Sequence, residues 1–80
     1  MRNHNHYFKD VSHLKELDVY RVLSLFGVTD PCVQHAIKKL LCSGLRGKGD
    51  SLQDLKEARD AVDRAIQMHE AKNKAAVANI

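Results

Sequence analysis

The sequence predicts an all-α fold: a small three-helix domain with an irregular N-terminal arm and a glycine-rich basic loop before the last helix. Three observations predict it. Apolar residues recur at helical spacing in three segments, residues that start or stop helices bound each segment, and no stretch alternates as a half-buried strand would. At 80 residues, 44% of them hydrophobic, the chain makes one domain. A net charge of +3 is too small for a disordered chain of this hydrophobicity. The longest apolar runs are a few residues, far below the roughly 20 needed to cross a bilayer, so no membrane partner is expected.

Residues 1–12 show no sustained period and form an expected arm, docked through Tyr7 and Phe8. The first helix is predicted over 13–27. Leu14, Leu17, Tyr20, Leu23 and Phe26 recur every third position, Val19 and Val22 widen the stripe, Ser12 is available as a cap, and Gly27 is a natural stop. The second helix, 30–43, has the clearest punctuation: Asp30 as N-cap, Pro31 at the first helical position and Gly44 just past the end. Val33, Ala36, Ile37, Leu40 and Leu41 make its apolar stripe, and Gln34, His35, Lys38, Lys39 and Cys42 lie opposite as a basic edge.

A loop over 44–50 follows, with glycines at 44, 47 and 49 and the cations Arg46 and Lys48. The third helix is predicted over 51–72, with Ser51 and Asp54 in the capping-box arrangement. Its expected inner stripe is Leu52, Leu55, Ala58, Val62, Ala65, Ile66 and His69. Outward pairs of opposite charge, Lys56 with Asp60, Asp60 with Arg64 and Arg59 with Asp63, each add a few tenths of a kcal/mol. Residues 73–80 are expected to fray.

A chain this short buries only about 60–65% of the surface its unfolded form exposes. An independent core is therefore marginal, and assembly into a homo-oligomer is expected. Cys32 and Cys42 lie ten residues apart on the second helix, about 15 Å at 1.5 Å per residue and beyond the roughly 7 Å reach of a disulfide. Free thiols and an N-terminus without a secretory pattern predict an unprocessed, intracellular chain.

The loop from Gly44 to Asp50 leads into a helix N-terminus, where converging backbone N–H groups and the cations Arg46 and Lys48 suit an anion. It lacks the order of a P-loop, and a solvated flexible turn is the competing reading. His4 and His6 in an arm supply too few fixed ligands for a metal, and His13, His35 and His69 assemble into no site by spacing, so no metal or cofactor is expected. Cys32 or Cys42 with His35 makes a nucleophile and base only on paper. The basic edge of His35, Lys38 and Lys39, extended by Arg46 and Lys48, lacks interleaved aromatics, so long nucleic acid is not the expected partner.

The His6-Tyr7 pair, the segment Asp18-Val19-Tyr20-Arg21-Val22-Leu23, the helix His35-Ala36-Ile37-Lys38-Lys39-Leu40-Leu41, the glycine-basic loop and Asp54-Leu55-Lys56-Glu57-Ala58 together resemble a family of small phage domains of unknown function. That family includes a phage nucleotide kinase lacking a P-loop. The resemblance spans roughly residues 6–66 and carries Lys38, Asp54, Leu55 and Ala58 onto family positions. Gln34-His35 stands in place of a Gly-Asn pair, Lys39 in place of Tyr and Cys42 in place of Arg. The resemblance therefore implies a retained nucleotide-binding surface more than an intact kinase.

The expected function is that of a phage accessory protein in the host cytoplasm. It binds a nucleotide or nucleotide-like phosphate ligand, for sequestration or in nucleotide metabolism. Lys38, Lys39, Arg46 and Lys48 would hold phosphates, and His35, His6 and Tyr7 would stack on or hydrogen-bond the base or ribose. No catalytic residue is assigned. The alternative is a helical interaction protein that inhibits or redirects a host defence enzyme. An exposed apolar patch at Leu45, Tyr20 or Phe26 would favour the alternative, and cations converging in a pocket would favour the ligand.

Overall fold

The computed structural model describes residues 5–45 and 51–78, and among these all regular structure is helical. A 3₁₀ turn, Asn5–Tyr7, precedes α1 (Val19–Leu25), α2 (Pro31–Leu41) and α3 (Ser51–Ala78). The all-α three-helix architecture is thus as the sequence predicts. Positions 46–50, with the expected phosphate ligands Arg46 and Lys48, lie outside the described residues, as does His4. No helix among the described residues is long and apolar enough to cross a membrane.

The first helix begins six residues later than the apolar spacing suggests. Asp18 takes an extended conformation and its Oδ1 accepts the Arg21 N–H at 2.8 Å, so the cap sits there and not at Ser12. The Ser12 N–H itself donates to Asp10 Oδ1, and the Leu14 N–H to the Val11 carbonyl, which folds this stretch into turns. α1 ends in a Schellman arrangement. The Gly27 N–H donates to Ser24 and the Val28 N–H to Leu23, with Gly27 at φ +66°.

α2 starts as predicted, with Asp30 Oδ1 accepting the Val33 N–H at 2.9 Å and Pro31 at the first helical position. Lys38 and Lys39 fall in its last turn, where the helix dipole favours cations. Gln34 Nε2 reaches back to the Val28 carbonyl at 2.8 Å and fastens the α1–α2 connection. α3 continues to Ala78 where fraying was expected after 72, because its last stretch holds good helix formers and neither glycine nor proline.

α2 packs along α3, and α1 touches α2 alone and lightly. Among the described residues the buried apolar ones are Leu23, Ala36, Ala58 and Ala65, and no large described side chain is fully buried. Alanines let α2 and α3 approach closely, and the polar Asp54 completes that face. The expected inner stripe of α3 therefore divides. Ala58 and Ala65 face α2, whereas Leu52, Leu55, Val62, Ile66 and His69 are exposed. The radius of gyration, 16.3 Å, exceeds the roughly 12 Å of a compact chain of this length.

Gly44 brings the chain from α2 onto the start of α3. Its φ is +74°, and a Cβ there would stand 2.7 Å from Ser51 Oγ, whereas one at Gly27 would meet nothing within 4 Å. Both alanine variants incur the left-handed backbone cost of roughly 1–2 kcal/mol, and Gly44→Ala must also displace Ser51. Denaturant unfolding is expected to rank Gly44→Ala as the less stable of the two.

Candidate functional site

The concave feature with the richest mix of chemistry lies between α1 and α2. Its volume is about 310 Å³, at the small end of the range for ligand sites. Leu23, Val28 and Pro31 supply apolar lining, and Ser24, Gln34, His35 and Lys38 supply polar groups. Tyr20 forms one wall, and Lys38 Nζ lies 5.6 Å from the centre of its ring. An adjoining hollow of about 280 Å³ shares Tyr20 and Ser24 and adds Arg21 and Asp18. Lys38 thus sits over one exposed aromatic ring, and Arg21 lines the hollow beside it.

Helix geometry explains which predicted residues meet here. His35 and Lys38 are three apart on α2 and share a face. Lys39 is turned by about 100° from Lys38, and its ammonium lies 3.0 Å from Glu57 Oε2 and 3.8 Å from Asp54 Oδ1. It joins α2 to α3 and does not line the hollow. His6 and Tyr7 stand together in the 3₁₀ turn with ring centres 4.1 Å apart, and neither lines the hollow. Lys9 of the arm places its Nζ 5.4 Å over the ring of Phe26, the residue that follows α1.

Spacing alone missed Tyr20, Ser24 and Arg21. Tyr20 falls in the three-residue apolar rhythm of the predicted first helix, yet it is 69% exposed. Phe26 and Leu45 are exposed as well. The hollow offers an ammonium, an imidazole, a hydroxyl and an aromatic face, a set suited to holding an anionic group attached to a ring. No described carboxylate lines it. Cys32 and Cys42 are free thiols, and among the described residues no three His, Cys, Asp or Glu side chains gather to hold a metal ion.

Asp54 is 7% exposed and accepts the Gly44 N–H through Oδ2 at 2.8 Å, so the carboxylate expected in a capping box with Ser51 reaches across to the end of α2. The Glu57 carboxyl is held below its ordinary pKa, chiefly by the hydrogen bond from Lys39 and then by one from Gln53. Because the folded-state value is lowered, the stability it contributes is complete above the ordinary glutamate range. It is lost as pH falls through that lowered value. Glu57→Gln is expected to be less stable than wild type at neutral pH and to lose less on acidification, which thermal melts from about pH 7 to about pH 3 would check.

Comparisons with protein-family models, characterised proteins and solved structures return no match, so the geometry of the site carries the functional reading.

Proposed function

We propose that the protein is a binding module for a small nucleotide-like phosphate ligand, seated in the hollow between α1 and α2. The observation that carries this reading is the placement of Lys38 beside His35 and over the Tyr20 ring in one concave site. Lys38 would pair with phosphate, His35 and Ser24 would hydrogen-bond phosphate or sugar, and Tyr20 would offer a face to the base. The resemblance to a phage domain family with a nucleotide kinase supports the same ligand class. Such a module would act in the host cytoplasm in nucleotide metabolism or by sequestering a nucleotide signal of host defence, which requires affinity and no turnover.

The test is a thermal-shift panel of nucleoside mono- and diphosphates, cyclic nucleotides, nucleosides and inorganic phosphate. Phosphate-bearing nucleotides are expected to raise the melting temperature where nucleosides do not. No shift across the panel overturns the reading. A second reading, a helical module that inhibits or redirects a host enzyme, is favoured by the exposure of Tyr20, Phe26 and Leu45.

A further inference from the structure

Four large apolar side chains of α3 point away from the small core. Leu52, Leu55, Val62 and Ile66 are 58%, 48%, 42% and 49% exposed. With Arg59 and His69 they recur at intervals of three, four, three, four and three residues, the heptad rhythm of a helix that pairs with another. The resulting seam runs for about 25 Å along α3. At its middle lies a groove of about 290 Å³ lined by Leu40, Leu55, Ala58, Arg59, Val62 and Asp63.

We propose that a second copy of this chain covers the seam, the two α3 helices running antiparallel about a two-fold axis between Asp60 and Ala61. The rhythm of the seam reads the same in both directions. A single register therefore matches every position, setting Leu55 against Ile66 of the partner copy, Arg59 against Val62 of the partner copy and Leu52 against His69 of the partner copy. Charge selects the direction. Parallel pairing stacks Arg59 on its own equivalent, whereas antiparallel pairing brings Arg59 and Lys56 to Asp63 of the partner copy.

The area agrees. The chain exposes 6829 Å², whereas a folded monomer of 9.0 kDa exposes about 4,850 Å². Obligate dimers bury about 2,000 Å² or more in total, roughly 1,000 Å² from each chain. The excess of about 2,000 Å² is larger than the roughly 1,000 Å² that each chain of such a dimer buries, and Leu40 of α2 flanks the groove in the seam. No seam residue lines the hollow between α1 and α2, so the dimer and the nucleotide reading stand or fall separately.

Sedimentation equilibrium of the full chain is expected to give twice the 9.0 kDa chain mass, and Val62→Glu to give the single mass with its helical spectrum retained. A charge exchange covers the case in which Val62→Glu fails to fold. Asp63→Arg weakens the dimer by about tenfold, and Arg59→Asp with Asp63→Arg restores it. For the register, Leu55→Cys chains mixed with Ile66→Cys chains, both carrying Cys32→Ser and Cys42→Ser, form a disulfide that Leu55→Cys alone does not. A wild-type monomer at about 1 mM overturns the proposal and leaves the seam to a different protein. A dimer indifferent to both Val62→Glu and Asp63→Arg, or a Leu55→Cys chain that crosslinks to itself, also overturns it.

Discussion

Asp54→Ala is expected to lower the melting temperature by roughly 10 °C. The side chain is nearly buried where the end of α2 meets the start of α3, and its Oδ2 accepts the Gly44 N–H. Truncation leaves that donor without its partner and takes one of two carboxylates from Lys39. A lost buried hydrogen bond of this kind costs about 1–3 kcal/mol, and each kcal/mol moves the midpoint of a domain this small by about 4–8 °C. Asp54→Asn keeps an acceptor for Gly44 and loses the charge, so its midpoint should lie between alanine and wild type. An alanine variant that melts with wild type would mean that Asp54 does not fasten the α2–α3 connection.

The second large effect separates two neighbouring lysines. Lys38→Ala is expected to weaken nucleotide binding by about ten- to a hundredfold, the worth of one charge-assisted hydrogen bond at about 1.5–3 kcal/mol. A ligand at about 100 times its dissociation constant stabilises the fold by roughly 2.7 kcal/mol, and Lys38→Ala at the same concentration should keep only about 0.4–1.4 kcal/mol of it. Lys39→Ala should do the reverse. It lowers the melting temperature of the free protein by removing the contacts to Glu57 and Asp54, and it keeps the ligand-induced shift. Loss of the shift in Lys39→Ala with its retention in Lys38→Ala would move the ligand to the α2–α3 side.

The parts of the fold legible in the sequence are those set by local chemistry. Asp30, Pro31 and an unbroken i, i+3, i+4 pattern mark α2 because each acts within one turn of the chain. Spacing does not locate the start of α1, because residues three apart suit a run of turns as well as a helix. The cap that decides between them, Asp18, sits within the apparent stripe. On α3 the apolar residues cover more of the circumference than one neighbour can bury. Spacing could not say that the alanines, and not the leucines, face α2.

The site was legible in half. Lys38 and His35 share a face by helix geometry alone, and the same geometry turns Lys39 away from them. Tyr20 and Ser24 join them only because α1 packs against α2, a tertiary fact held by the Gly27 turn and the hydrogen bond from Gln34 to Val28. Apolar rhythm likewise marks Tyr20 as core, since a tyrosine at a helical repeat reads the same whether its ring is covered or left open at a wall.

The most direct measurement is a nuclear magnetic resonance titration of the full chain with the nucleotide that gives the largest thermal shift. The backbone amides of Tyr20, Ser24, Gln34, His35 and Lys38 are predicted to move together in one saturable transition, and those of α3 from Leu55 to Ile66 to stay in place. Shifts that cluster on the α3 seam, or no saturable shift in the α1–α2 hollow, would contradict the assignment of that hollow as the ligand site.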